Sequence, residues 1–235
     1  MSSKLYLIPT LLGNDDFQRT LPDYNLGIVD SIQIFVVENE KSARKFIKTI
    51  LPEKKQSELE IHILDKNTSG EELHELAKLF QRNQPIGILS EAGLPAVADP
   101  GARLVRLAHK NHVQVVPLVG PSSILLALMS SGMNGQQFMF HGYLPIDKME
   151  RKKAIQKLEA DSQKNKCTMI FMETPYRNNQ MLEDLVKNCQ KNTTVCVAAN
   201  ITMEDEFILT LPVKEWAQKK TDLHKKPAIF LLESY

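Results

Sequence analysis

The chain of 235 residues lacks the features that mark membrane, secreted and metal-binding proteins. Its longest apolar runs, such as Ile124–Met129, are far too short to span a bilayer, and its first residues lack the basic head and apolar stretch of a signal peptide. Its three cysteines are odd in number and have no zinc or redox spacing, and its six histidines include no His-x-x-x-His pair. The sequence therefore predicts a reduced, cytoplasmic protein with no membrane contact and no metal site.

Common nucleotide-binding and nucleophile motifs are also missing. No Gly-x-Gly-x-x-Gly follows the first apolar segment, and no Gly-x-x-x-x-Gly-Lys-Ser/Thr occurs anywhere. Ser122 and Ser123 lack the glycine spacing of a nucleophile elbow. With 29 basic and 28 acidic residues, the chain has no global field that would draw it to nucleic acid. The sequence thus contains no motif for binding a dinucleotide or for binding a nucleotide through a P-loop. An RNA substrate is not excluded.

Short apolar segments alternate with helix-like segments in the first part of the chain. This alternation predicts βαβ units and a mainly parallel sheet. Ser69 and Glu72 have the spacing of a capping box, which predicts a helix start. The predicted strands are Lys4–Ile8, Gln33–Val37, Glu60–Leu64, Ile86–Leu89 and Val113–Leu118, and the predicted helices are Ser42–Ile50, Glu71–Arg82 and Arg103–Asn111.

A segment of small and turn-forming residues, Ser130–Gly135, interrupts this alternation. We place a domain boundary there, which gives domains 1–134 and 135–235. Beyond it, some strands follow one another without a helix, which predicts a mixed sheet, so the fold class is α/β with two domains. The predicted strands of this part are Gln137–Tyr143, Cys167–Met172, Thr194–Ala198, Phe207–Leu211 and Ala228–Leu232, and its helices are about Met149–Lys164, Asn178–Asn188 and Val213–Lys220.

Three glycine-containing loops follow predicted strands of the first domain: Pro9–Asn14, Ser90–Gly101 and Val119–Ser123. In open α/β sheets, ligands collect beyond the carboxyl ends of the strands. Glycine lets a ligand approach the backbone, and helix starts offer unpaired N–H groups. Each loop alone is as consistent with a plain turn, but together the three predict a site for a small cofactor.

These loops and two later segments, Phe138–Pro145 and Phe171–Arg177, resemble the tetrapyrrole-methylase superfamily. The block Ser90–Gly101 carries Ser-Glu-Ala-Gly-x-Pro followed by Asp-Pro-Gly, and Phe171–Arg177 matches an aromatic-x-Glu-Ser/Thr-Pro-His-Arg element of the family. The resemblance covers almost the whole chain. It is strongest to the branch that methylates a cytidine 2′-hydroxyl of small-subunit ribosomal RNA.

The resemblance implies a methyltransferase with S-adenosylmethionine folded into a cleft between two α/β domains, usually as a homodimer. Transferred onto matching positions, it implies cofactor contacts from Leu12, Gly93, Leu94, Val97, Ser122, Ser123, Ile124, Met172, Ala198, Ala199, Pro227 and Ala228. Asn14 and Glu91 lie in loops expected to face the cleft and are the first candidates for positioning the acceptor, followed by Glu38 and Arg177. Local roles are the alternative: Glu91 and Asp99 as caps of N–H groups, and Arg177 as the partner of Glu173.

The chain departs from that branch at three places on the expected acceptor side. Val36–Glu40 stands where the branch has Ala-Glu-Asp-Thr-Arg, Ala199–Thr202 where it has Arg-Glu-Leu-Thr, and Lys225–Pro227 where it has Lys-Gly-Glu. Two alternatives to a ribosomal RNA methyltransferase therefore stay open. One is a methyltransferase for another acceptor, such as a small heterocycle or a different RNA, and the other is an S-adenosylmethionine-binding paralogue without catalysis.

Overall fold

A five-stranded parallel sheet forms the centre of the first half of the chain. The computed structural model describes residues 3–13 and 16–235. The strands are β1 (Lys4–Ile8), β2 (Ile34–Val37), β3 (Glu60–Ile63), β4 (Ile86–Leu89) and β5 (Gln114–Pro117), in the spatial order β3-β2-β4-β1-β5. Every neighbouring pair is parallel. The loops that follow all five strands therefore lie along one edge of the sheet.

Both faces of this sheet are covered, which explains why the inner strands are apolar without alternation. Phe35 and Val37 pack into one hydrophobic core, and Ile34 and Val36 pack into the other. Successive side chains of a strand point to opposite faces, so β2 contributes to both cores. The helices of this half are α1 (Phe17–Thr20), α2 (Asp23–Ser31), α3 (Glu40–Ile50), α4 (Gly70–Ala77) and α5 (Gly101–Lys110).

The predicted capping box is present at the start of α4. The Glu72 backbone N–H donates to Ser69 Oγ at 3.2 Å, and the Ser69 backbone N–H donates to Glu72 Oε2 at 2.7 Å. The α-helical part of the predicted helix ends at Ala77 and continues as a 3₁₀ segment, Lys78–Arg82. Helices α1 and α2 were not predicted, since α1 is a single turn and only Asn25 and Val29 of α2 are buried.

The second half of the chain forms a mixed five-stranded sheet, as predicted. Its elements are α6 (Ser123–Ser131), β6 (Phe138–Tyr143), α7 (Lys148–Asn165), β7 (Thr168–Glu173), α8 (Asn178–Asn188), β8 (Thr194–Ala199), β9 (Phe207–Pro212), α9 (Val213–Trp216) and β10 (Ala228–Glu233). The strand order is β6-β7-β10-β8-β9. Only the β6–β7 pair is parallel among the pairs of this sheet in the described residues.

The chain divides into two compact units, Met1–Ser122 and Ser123–Tyr235. This division comes before the predicted boundary after residue 134. The reason is that α6 packs against β8, β9 and β10, which places it with the second sheet. The turn-rich segment Ser130–Gly135 thus lies inside the second unit, where its first two residues end α6 and the rest form a loop.

Residues 3–13 and 16–235 contain neither a metal-binding cluster nor a membrane-spanning helix. Their histidine, cysteine, aspartate and glutamate side chains form no group of three that is arranged to hold a metal ion. Within the same ranges, no helix combines the length and the apolar character needed to cross a bilayer.

Candidate functional site

The strand order of the first unit brings the three glycine-containing loops together. The loops follow β1, β4 and β5, and β1 lies between β4 and β5 in the sheet. Residues 9–13, 90–101 and 118–122 therefore leave three adjacent strands at the same edge. The sequence predicted that these loops share an edge, and the strand order makes them neighbours.

Gly93 is the point at which the three loops meet. Its carbonyl oxygen accepts the Thr10 backbone N–H at 2.9 Å and the Ser90 hydroxyl at 2.9 Å. Its φ of +73° lies in the left-handed region that favours glycine. A Cβ at Gly93 would lie 3.1 Å from Leu12 Cδ2 and 3.2 Å from the carbonyl oxygen of Pro121. The first, second and third loops are thus in contact around one glycine backbone.

The third loop also packs directly on the first. A Cβ at Gly120 would lie 2.2 Å from Pro9 Cβ, so only glycine allows this approach. From α2, the buried Asn25 donates its side-chain N–H to the carbonyl oxygen of Val119 at 2.7 Å. Sequence reasoning missed Asn25, and a buried asparagine in a short helix offers no pattern that would have found it.

Asp99 holds the second loop in an unusual backbone conformation. Its carboxylate accepts the Ala96 N–H at 2.9 and 3.0 Å and the Gly101 N–H at 2.7 Å. Ala96 and Ala98 have φ values of +66° and +62°, a region that alanine rarely adopts. The local role anticipated for Asp99 is thus the observed one. The same loop leaves Val97 46% exposed, so its apolar side chain is available to a ligand, and Leu94 is half-buried.

Carboxylates gather along the same edge of the sheet. Burial raises the pKa of Glu38, and the nearby charges of Asp99, Glu91 and Asp65 raise it further, although a hydrogen bond from the Glu91 N–H acts in the opposite direction. Burial also raises the pKa of Asp99 despite its backbone hydrogen bonds. Acidic side chains at this edge favour a ligand that carries positive charge.

A cavity of about 360 Å³ lies between the first loop, α3 and the residues that follow β4. Three polar residues, Ser42, Lys45 and Thr49, line it from α3 together with the apolar Ala43 and Phe46, and Glu91 faces them from the end of β4. Ser42 Oγ donates to Glu91 Oε1 at 2.7 Å. Sequence reasoning named Glu91 but missed the three residues of α3. Their i, i+3, i+7 spacing places them on one helix face and is the signal that would have found them.

Asn14, the other acceptor-positioning candidate, lies outside the described residues.

In the second unit, strand pairing brings several predicted cofactor contacts to one edge of the sheet. Ala228 at the start of β10 lies opposite Ala199 of β8, and the next position of β10 pairs with Met172 and Ala198. Ala198 and Ala199 have no exposed surface, whereas Met172 is half-buried and Pro227 is exposed. Met172 and Pro227 are therefore the members of this set whose side chains a ligand can reach.

Ser122, Ser123 and Ile124 lie where the third loop leads into α6, and all three are half-buried. Ser122 is the last residue of the first unit, and the other two begin the second. The prediction that residues of both units share one cofactor stays a prediction.

Arg177 forms an ion pair with Glu173, which was the local alternative for this residue. Arg177 Nη2 lies 2.6 Å from Glu173 Oε1, and the Thr174 backbone N–H donates to the same oxygen at 2.6 Å. The Glu173 carboxylate is almost fully buried, so the pair fixes the turn between β7 and α8. The geometry gives Arg177 a structural role in this turn.

Comparisons with known proteins agree with this architecture. The chain is 29% identical to "Ribosomal RNA small subunit methyltransferase I" of Escherichia coli O157:H7, over 99% of this chain and 78% of that protein. It is 31% identical to the protein of the same name from Bacillus subtilis (strain 168), over 87% of this chain and 66% of that protein.

Two solved structures share the fold at low sequence identity. The methyltransferase CobJ superposes with a TM-score of 0.63 at 13% identity, covering 99% of this chain and 94% of that chain. The uroporphyrin-III-C-methyltransferase from Thermus thermophilus gives a TM-score of 0.55 at 14% identity, with coverage of 99% and 92%. A family model described as Tetrapyrrole (Corrin/Porphyrin) Methylases matches residues 27–217, and the chain therefore belongs to the tetrapyrrole methylase family.

Proposed function

We propose that this methyltransferase uses S-adenosylmethionine to methylate a cytidine 2′-hydroxyl of small-subunit ribosomal RNA. Family membership supports the reaction, and the names of the similar curated proteins support the acceptor class. The observation that carries the proposal is the convergence of three loops on Gly93 at the carboxyl edge of a parallel sheet. Ligands of open α/β sheets bind at this edge.

The residues around Gly93 fit S-adenosylmethionine chemically. The cofactor carries a sulfonium and an ammonium group, and the edge of the sheet carries the carboxylates of Glu38, Glu91 and Asp99. It also has apolar methylene and adenine surfaces, for which Leu12 and Val97 offer partly exposed apolar side chains. At Gly93 a side chain would fill the space between the first and third loops.

S-adenosylmethionine supplies an activated methyl group that leaves the sulfonium by in-line displacement. The chain's residues contribute mainly position, which is worth roughly 7–11 kcal/mol when reactants are held in line. The hydrogen bonds at Gly93 and Asp99 fix the loop conformations before any ligand arrives. This preorganisation is what alignment of donor and acceptor requires.

We assign the acceptor to the cavity beside α3. A volume of about 360 Å³ falls within the range of small-molecule sites and suits a single nucleoside. Glu91 lies at the cavity wall, where its carboxylate can accept the hydrogen of a bound hydroxyl, an assistance worth about 10²–10⁴-fold in rate. Lys45 supplies a cation for the adjoining phosphate. Asn14 stays a candidate on the sequence alone.

Two measurements test the proposal in order. Calorimetric titration with S-adenosylmethionine and S-adenosylhomocysteine should show binding, and failure to bind at millimolar concentration would refute the cofactor assignment. Incubation with radiolabelled donor and purified 30S subunits should then label the RNA. If label appears only when a metabolite extract is supplied, the acceptor is a small molecule rather than RNA. Tight cofactor binding without transfer to any acceptor would indicate a non-catalytic protein.

The family resemblance further leads us to propose a homodimer. Sedimentation velocity of the purified chain at micromolar concentration should give twice the mass of the chain. A monomer mass across that concentration range would contradict this part of the proposal.

A further inference from the structure

One surface of the second unit combines an exposed aromatic ring with basic side chains. Tyr176 follows β7 and is 70% exposed. Its ring lies 6.1 Å from that of His224, with an interplanar angle of 69°, so the edge of one ring faces the other. An exposed aromatic ring offers a flat face on which a planar ligand can stack.

Hydrogen bonds hold the two chain segments that carry these rings. The Lys225 backbone N–H donates to the Pro175 carbonyl at 3.0 Å, and the Asn178 side chain donates to the Lys226 carbonyl at 2.6 Å. The Leu223 backbone N–H donates to the side chain of Asn179 at 2.7 Å. The two backbone segments that carry the rings are therefore held together before any ligand binds, which lowers the entropic cost of binding.

The chain around His224 is rich in lysine. Residues 213–227 contain five lysines and two acidic residues. Of those acids, Asp222 accepts hydrogen bonds from Asn179 and from the His224 backbone, which lower its pKa and keep it charged. Lys226 pairs with Asp205 at 3.4 Å, whereas Lys219, Lys220 and Lys225 are exposed. The surface thus carries an excess of positive charge.

A groove of about 630 Å³ lies next to the segment that carries His224. It runs between α8 and residues 216–222, and Asn179 and Asp222 belong both to the groove and to the hydrogen bonds beside His224. Lys187, Lys219 and Lys220 line it together with Glu183 and Asp222. Lys187 pairs with Glu183 at 3.3 Å, which leaves Lys219 and Lys220 against Asp222. An extended ligand that stacks on Tyr176 can therefore continue along a groove in which lysines outnumber acidic residues.

We propose that this surface binds single-stranded RNA, with a base stacked on Tyr176 and the phosphates facing the lysines. We call it the Tyr176 surface and define it by Tyr176, His224, Lys219, Lys220 and Lys225. An exposed aromatic ring beside a surface with an excess of lysines is an arrangement by which proteins hold single strands without reading their sequence. The inference rests on the proposed RNA acceptor and adds to it the place where RNA flanking the target nucleotide binds.

Tyr176 supplies the first test. The affinity for a fluorescent single-stranded RNA of 12 nucleotides is measured by anisotropy for the wild type, Tyr176→Ala and Tyr176→Phe. Tyr176→Ala should weaken binding about 5- to 150-fold, and Tyr176→Phe should retain it, since phenylalanine also stacks. The matched control is Tyr235→Ala, because Tyr235 is 71% exposed in the same unit and lies outside the Tyr176 surface. Its variant should bind like the wild type.

Salt dependence separates the roles of the ring and of the lysines. For the triple variant Lys219→Ala, Lys220→Ala, Lys225→Ala, the slope of log affinity against log salt should fall by about 0.7 for each phosphate that the protein no longer neutralises. Tyr176→Ala should leave that slope unchanged. A Tyr176→Ala protein that melts like the wild type but binds RNA with unchanged affinity would overturn the inference, as would absence of RNA binding by the wild type.

The two proposals fail in different ways. If the wild type, the Tyr176→Ala variant and the triple-lysine variant methylate 30S RNA equally well, the Tyr176 surface does not bind the RNA substrate. The proposed function would then still stand. RNA binding that depends on Tyr176, without methyl transfer to 30S RNA, would overturn the proposed acceptor and uphold the surface.

Discussion

At the scale of single residues, Gly93 is the position where one carbon atom should have the largest effect on the candidate site. Gly93→Ala adds a Cβ 3.1 Å from Leu12 Cδ2 in a left-handed conformation that costs about 1–2 kcal/mol for alanine. Because the loop must shift, we expect the variant to bind S-adenosylmethionine at least about tenfold more weakly, as measured by calorimetry. A tenfold change in Kd corresponds to about 1.4 kcal/mol of binding free energy. Gly135→Ala is the control, since a Cβ there meets no described atom within 4 Å. Equal affinity of the two variants would separate Gly93 from the site.

Asp99 should stabilise the second loop through its backbone hydrogen bonds. Asp99→Ala leaves the N–H groups of Ala96 and Gly101 without their acceptor, a loss of about 1–3 kcal/mol in the free energy of unfolding. Urea denaturation measures this loss, and calorimetry should show weaker cofactor binding in the same protein. Asp99→Asn retains one oxygen acceptor and should lose less. Equal stability of Asp99→Ala and wild type would show that the loop holds its shape without the carboxylate.

Glu38 should make the stability of the protein fall as pH rises. Burial and neighbouring carboxylates raise the pKa of Glu38 above its ordinary value of 4.5, so the folded state binds this proton more tightly than the unfolded state. The stabilisation from protonated Glu38 is full below pH 4.5 and is lost as pH rises through the higher folded-state pKa. Glutamine cannot ionise, so Glu38→Gln should not lose this stabilisation as pH rises. Urea unfolding of both proteins at pH 4.5 and pH 7 measures the difference. We expect Glu38→Gln to be more stable than the wild type at pH 7 by a larger margin than at pH 4.5. An equal margin at both pH values would contradict the raised pKa of Glu38.

At the scale of elements, α3 contributes both polar and apolar side chains to the wall of the cavity proposed for the acceptor, and Lys45 is its cation there. Lys45→Ala should raise KM for 30S subunits about tenfold through loss of one charged hydrogen bond, with unchanged affinity for S-adenosylmethionine. Lys48→Ala is the control on the same helix, because Lys48 is exposed and lies outside the cavity. If Lys45→Ala changes the affinity for S-adenosylmethionine but not KM for 30S subunits, the cavity binds the cofactor rather than the acceptor.

Elements with a strong local signal were predicted closely. The buried strands β2 and β4 read as apolar runs, and the capping box marked the start of α4 within a residue. The change from α-helix to 3₁₀ after Ala77 had no such signal. Helices α1 and α2 were missed because their few buried side chains form no apolar stripe. The missed elements are therefore those whose own residues show no periodic apolar pattern.

At the scale of the whole molecule, the division of the chain follows packing rather than turn composition. Ser130–Gly135 contains the residues that usually mark a linker, but α6 before it packs on the second sheet. The boundary between the compact units therefore falls between Ser122 and Ser123, inside the third glycine-containing loop. An apolar helix such as α6 belongs to whichever sheet covers it, and the sequence does not say which sheet that is.

The sequence by itself determined the α/β class, the mixed second sheet and the loops that carry the candidate site. These follow from local pattern: hydrophobic periodicity, turn residues and helix caps are readable without knowledge of distant contacts. The tertiary structure alone decided that β1 lies between β4 and β5, so that Leu12, Gly93 and Pro121 meet, and that Tyr176 stands beside His224. Strand order and such long-range contacts depend on how whole elements pack, and no local stretch of sequence encodes them.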